Sequence, residues 1–196
     1  MNNTLKLVSV GAVFLALIVA VWAFLDNRRD EDFRETVLVE ANNLTSLIDA
    51  SMRSRIPALQ RMAERWELRG QTTEREFIAE ANAYIKDLPG LQAIEWVDKS
   101  FHVRWIVPAQ GNEQALNLNL SADETRRTAL ESAREQRQPV MSDPVDLVQG
   151  GKGFLMFFPI FVKDEFSGFL LAVVKTKPWL DHILAAHFVR LAAHRA

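Results

Sequence analysis

The sequence predicts an α+β fold: an antiparallel five-stranded sheet with flanking helices, reached from a transmembrane anchor through one long helix. Three observations carry that prediction. Leu7 to Leu25 holds no charge, apolar residues from Phe33 to Trp66 recur at steps of three and four, and from Leu91 onward short β-type runs alternate with turn residues. The resulting organisation is residues 1–25 as cytoplasmic tip and anchor, 26–70 as a long stalk helix, 71–176 as the sheet domain and 177–196 as a C-terminal helix.

The 19 uncharged residues of Leu7–Leu25 suffice to span the hydrocarbon core as a helix, and Trp22 falls near the interface. A cleaved signal peptide is the rival reading. The apolar run exceeds the usual h-region, Lys6 is alone ahead of it, and Val21-Trp22-Ala23 is a poor small-x-small site, so an uncleaved anchor is preferred. Flanking charge conflicts with export of the body. Arg28, Arg29 and Arg34 outnumber Lys6, which on positive-inside counting places the main domain in the cytoplasm.

Phe33, Val37, Ala41, Leu44, Ile48, Met52, Ile56, Leu59, Ala63 and Trp66 paint one stripe on a helix longer than a small domain needs. Two readings stay open, a signalling stalk that pairs with a second copy, and a helix whose second half packs on the sheet. Pro57 is expected to kink or break it, setting the boundary there. After the loop Gly70-Gln71-Thr72, Thr73 and Glu76 form a capping box. The amphipathic helix it starts carries Phe77, Ala81, Tyr84, Ile85 and Leu88 and ends at Pro89-Gly90. Leu91–Val97 and Phe101–Val107 make a hairpin turning at Asp98-Lys99-Ser100, with Phe101, Val103 and Trp105 on one face and His102 and Arg104 on the other.

A polar loop, Pro108–Gln114, and a strand from Leu116 precede a helix that Ser121 and Glu124 are expected to cap. Gln138-Pro139 stops it. A short strand follows Pro139, Val145–Val148 alternates, and Gln149–Gly153 turns. Phe154–Val162 is a nearly continuous apolar run, interrupted by Pro159, that returns through Lys163-Asp164-Glu165 to Phe166–Val174. The helices are expected on one side of the sheet.

Composition narrows function. In 196 residues, 48% hydrophobic and 24% charged, there is room for one domain plus an anchor. A net charge of −2 gives nucleic acid no footprint. The absence of cysteine excludes a disulfide scaffold, a thiolate metal site and a cysteine nucleophile. Gly150-Gly151-Lys152-Gly153 lacks the phosphate-loop pattern and sits between strands, so it reads as a turn. His182 and His187 are five apart without HExxH and read as surface histidines. Asp143 and Asp146 lack a sequence-placed partner for acid–base work. Arg126 and Arg127 either clamp an anion or, as adjacent helical residues pointing about 100° apart, form a solvated face. No enzyme, metal or cofactor is expected.

Four stretches carry a resemblance: Leu88–Trp96, Ala122–Glu135, Pro139–Pro144 and Gly153–Phe161. In this order and spacing, over roughly residues 74–175, they resemble CHASE, the extracytoplasmic sensor module of bacterial and plant signalling receptors such as cytokinin receptors. The resemblance implies a PAS-like sheet domain in the periplasm, on a single-pass protein of the bacterial inner membrane. Since large domains translocate despite modest flanking charge, it outweighs the arginine count. It also implies a small-molecule ligand held over the sheet and a signal passed through the stalk. Ser142 matches the threonine of the receptors' Leu-Thr-x-Pro motif. Gln110 is the nearest match to their loop aspartate, and Asn119 stands where similar bacterial domains often have an acid, so a neutral or anionic ligand fits better than a cationic or adenine-type one. Apart from the resemblance, Trp105, Phe154, Phe157 and Phe158 either wall a pocket with Ser142 or fill the core. Relatives would continue into a second subdomain, a second membrane span and an output domain. Pro178–Ala196 is too polar to span, so the expectation is a truncated receptor or one acting through a separate cytoplasmic output protein. The competing readings are a ligandless structural or dimerisation module that recruits a membrane partner, and an unrecognised hydrolase.

Overall fold

The computed structural model describes residues 38–39, 41–70 and 72–194; the expected membrane span and the start of the stalk lie outside them. Among the described residues no helix is long and apolar enough to cross a membrane. The chain divides into two compact units, Met1–Ser46 and Leu47–Ala196. In the first, the described residues 41–46 are helical.

The second unit is built on a six-stranded antiparallel sheet. Its elements are α1 (41–69, of which 47–69 belong here), α2 (Glu74–Asp87), β1 (Leu91–Asp98), β2 (Val103–Val107), α3 (Glu124–Gln136), β3 (Val140–Met141), β4 (Val145–Asp146), β5 (Lys152–Val162), β6 (Glu165–Lys175) and α4 (Thr176–His194). The strand order is β2-β1-β6-β5-β3, with β4 also on β5. Because β5 and β6 are apolar at consecutive positions, both faces need cover. On one face Leu59, Met62, Ala63 and Trp66 of α1, Phe77 and Ala81 of α2 and Trp179 and Ile183 of α4 pack against Ile94, Phe154, Phe158, Leu170 and Ala172. On the other, Ala129, Leu130 and Ala133 of α3, with Leu120, Val145 and Leu147, pack against Ala93, Val97, Leu155, Phe157, Leu171 and Val173. The expectation of helices on one side is thus corrected: the unbroken apolar run in β5 cannot leave a face to water.

Local chemistry explains most element ends. The Thr73–Glu76 capping box is present in full. The second one is not. Asp123 caps α3, accepting from the Arg126 amide, while Ser121 lies in a 3-10 turn (Leu120–Ala122) whose amide is capped by Asn119. The strand expected from Leu116 is absent for the same reason: Glu113–Ala115 forms another 3-10 turn, and only an isolated bridge, His102 to Asn119, remains. Pro57 does not break α1, which stays helical through it. Leu59, Met62, Ala63 and Trp66 just beyond it are buried, and that packing overrides the lost amide. A bulge separates the pair Trp96–Trp105 from Val97–Val103. The extra residue reverses the alternation, sending Val103 to the α3 face and Trp105 to the α1 face.

Pro159 is tolerated in β5 because β3 pairs only as far as Phe157. Beyond it the outward-facing amides meet side chains, as where the Phe161 amide donates to the Glu67 carboxylate (2.7 Å). Pro159 points to that unladdered margin and forfeits no strand hydrogen bond.

Gly168, at φ +128, packs so that an added Cβ would lie 2.2 Å from the Val97 carbonyl oxygen. Gly168→Ala therefore meets both a disfavoured backbone region and a steric clash at the β1–β6 seam. It is expected to lower stability by about 2–4 kcal/mol in urea unfolding; a loss under about 1 kcal/mol would show that the seam yields.

Candidate functional site

Residues alternate along β1. Ile94 and Trp96 face α1, Ala93 and Val97 face α3, and Glu95 stands between the latter two on the α3 face. A glutamate in the middle of a central strand is expensive unless something answers it. Glu95 is 2% exposed. Its one hydrogen bond is a long one, 3.5 Å from Gln149 Nε2. Burial, only partly offset by the Arg126 charge, pushes its carboxyl up to about 8.

Arg126 comes to the same place from above. The Asp123 cap starts α3 so that position 126 turns inward, and Arg126 is 9% exposed. Nη2 donates to the Asp146 carbonyl (2.7 Å), while Nε has no hydrogen-bond partner. The carboxyl and the guanidinium line a common cavity of about 20 Å³, room for one water. Its remaining walls are Leu118 and Leu120, Leu147 to Gln149 of the β4–β5 connection, and Leu155, Leu171 and Val173 of the sheet. Apolar walls with a few convergent polar groups are the usual make-up of a small-molecule site. Two polar groups with unmet hydrogen-bonding capacity inside such walls give a bound water polar partners.

The structure does not gather the sequence-predicted residues into one site. Trp105, Phe154 and Phe158 lie on the α1 face, Phe157 on the α3 face. Trp105 stacks on Trp96 (centroids 4.3 Å apart) and Trp66 (5.8 Å), a packed aromatic cluster. Ser142 is buried, but its hydroxyl accepts from the Leu155 amide (3.0 Å) and donates to the Asp143 carbonyl (2.7 Å), holding the β3–β4 gap onto β5. Gln110 is exposed, and Asn119 caps the 3-10 turn. Asp143 and Asp146 are both exposed, the latter paired with Lys152 (2.9 Å). Arg127 is solvated, as one of the two readings has it, whereas Arg126 is buried. His182 is exposed but His187 is buried, against the expectation for both. Glu95 and Gln149 were missed. The available signal was an acid at an inward position of Leu91–Val97, a strand otherwise apolar at those positions.

A two-faced antiparallel sheet of this kind is the fold of extracellular ligand-binding sensor domains. An extracellular ligand-binding receptor from Desulfohalobium retbaense superposes with a TM-score of 0.55 at 21% identity, over 73% of this chain and 25% of its own. The ligand-binding domain of the Pseudomonas aeruginosa amino-acid chemoreceptor PctC, in complex with GABA, gives 0.57 at 14% identity, over 72% and 62%. The ligand-binding domain of Mlp24 with asparagine gives 0.58 at 14%, over 72% and 57%. This chain thus spans between a quarter and about three fifths of these structures. The chain belongs to the CHASE domain family, which matches residues 55–193. The family match supports a sensor role, and the structural likenesses show the fold. No curated protein matches it by sequence.

Glu95 gives the domain a pH signature. An acid held near 8 in the folded state, against an ordinary value near 4.5, binds more protons folded than unfolded between those limits. Its contribution is therefore present at low pH and lost as pH rises from about 5 through 8. Wild type is expected to lose a few kcal/mol over that window relative to Glu95→Gln, measured as urea midpoints at each pH. Parallel curves for the two proteins would mean that Glu95 titrates normally.

Proposed function

We propose that the chain is a membrane-anchored, extracytoplasmic small-molecule sensor, with Met1–Lys6 in the cytoplasm, Leu7–Leu25 as anchor and Asp26–Ala196 outside the inner membrane. The observation that carries the reading is the Glu95–Arg126 cavity, a polar pair with unmet capacity inside a module of a sensor family. Similar domains in complex with asparagine and with GABA support a small polar ligand.

A ligand larger than a water requires the cavity to widen. Its most yielding wall is the β4–β5 connection, where Gly150 and Gly151 take φ +85 and +83 and nothing lies within 4 Å of a Cβ added to Gly150. The route from cavity to helix is short. Glu95 faces the ligand side and its neighbour Trp96 stacks against Trp66 of α1 (5.5 Å) on the other. A shift of β1 is thereby passed to the helix that leads toward the anchor. The stalk pairs with a second copy, and the output is carried by a separate cytoplasmic protein.

Three measurements test this. Denaturing the purified full chain is expected to release a small molecule seen by mass spectrometry, while Leu118→Trp, which fills the cavity, releases none; no release from wild type favours a ligandless structural module. An exported-enzyme reporter fused after Ala196 is expected to be active, and activity only of a cytoplasmic reporter rejects the topology. Leu44→Asp is expected to convert a dimer to monomer in sedimentation, since an unpaired charge in a helix seam costs several kcal/mol, roughly the stability of a short coil. A monomeric wild type rejects the stalk.

A further inference from the structure

We propose that the cavity between β1 and α3 takes a small zwitterion, a molecule carrying both an amine and an acid on an aliphatic body, with the ammonium on Glu95 and the acid on Arg126. This rests on the sensor reading and deepens it.

The argument is one of matching. Glu95 is almost wholly buried and receives one long hydrogen bond, so an added donor has an acceptor waiting. Arg126 Nε, a donor with no partner, takes an acceptor. A guest without an acceptor leaves Arg126 Nε unanswered, and one without a donor leaves an ionised Glu95 with a single long contact, which in a buried site is the costly outcome. Between them the walls are Leu118, Leu120, Leu147, Leu155, Leu171 and Val173, suited to a hydrocarbon body.

Of the side chains lining the cavity from the sheet, α3, the 115–120 segment and the β4–β5 connection, Arg126 is the one that carries charge beside Glu95; Gln149 does not titrate, and the Asp146 carboxylate points away to Lys152. Protonation of Glu95 therefore governs the pH response. An ammonium that remains protonated displaces the proton from the buried carboxyl, so binding releases about one proton and tightens as pH rises toward 8. A guest that instead accepts a hydrogen bond from protonated Glu95 binds equally well at pH 6 and 7.5 and weakens above 8.

The test is calorimetric titration of the full chain with aliphatic α- and γ-amino acids, each beside the amine lacking its acid and the acid lacking its amine, at pH 6 and 7.5. Expected are at least one zwitterion that binds, both matched analogues at least tenfold weaker, and a dissociation constant roughly 20-fold lower at pH 7.5. Glu95→Gln, which keeps the shape of the protonated side chain, should lose at least tenfold and the pH dependence with it; Arg126→Gln, checked for folding by circular dichroism, should lose at least tenfold. An analogue as tight as its parent, affinity unchanged between the two pH values, or no binding by any zwitterion overturns the proposal. The sensor reading fails separately. If the molecule released from the purified chain lacks an amine or an acid, the zwitterion falls and the sensor stands; if nothing is released, both fall.

Discussion

The ladder between β5 and β6, paired from Gly153–Lys175 to Val162–Glu165, is the contact on which the rest depends. Its side chains are buried on both faces along most of its length. Two layers must therefore be supplied, and the chain supplies them from different places: α1, α2 and α4 on one side, α3 with its flanking turns on the other. The α1 layer is additionally pinned by Arg55, a buried cation whose Nη2 donates to the Pro89 carbonyl (2.5 Å) and which lies over the Trp179 ring. Desolvation lowers its pKa, and it is held by carbonyl and hydroxyl oxygens rather than by an acid.

The two layers are unlike in chemistry. On the α1 face Trp66, Trp96, Trp105 and Phe77 interlock with ring centroids 4.3–6.2 Å apart. Aromatic packing of that kind favours one arrangement and resists rearrangement. The α3 face has phenylalanines of its own, Phe157 lying edge-on to Phe169 (5.7 Å), and is interrupted by Glu95 and Arg126. β1 belongs to both layers, with Ile94 in one and Ala93 and Val97 in the other.

Much of this was legible in the sequence because it depends on near neighbours. The Thr73 capping box, the Asp98–Ser100 turn, the Lys163–Glu165 turn and the length of the last hairpin follow from residues a few positions apart. What failed was decided by competition between neighbouring caps, by packing or by strand register. Asp123 displaced Ser121 as the cap of α3 because Asn119 had already taken the turn before it. Pro57 was overruled by packing of the next two turns. The bulge at Trp96–Val97 put Trp105 on the opposite face from Val103 and Phe157. The resemblance points to acids in Pro108–Gln114 and at position 119, where this chain has Gln110 and Asn119. The acid that borders the cavity is Glu95, on the strand, with its guanidinium partner on α3. Neither strand periodicity nor local motif says that two such groups will meet across a layer.

The most direct test of the account is a crystal structure of the full chain with the molecule it carries from its source. The account places that molecule between Glu95 and Arg126, beneath a displaced Leu147–Gly151 segment, with an acceptor atom within hydrogen-bond distance of Arg126 Nε. A molecule bound among Trp66, Trp96 and Trp105, or one bound elsewhere with the cavity still at about 20 Å³, would contradict it.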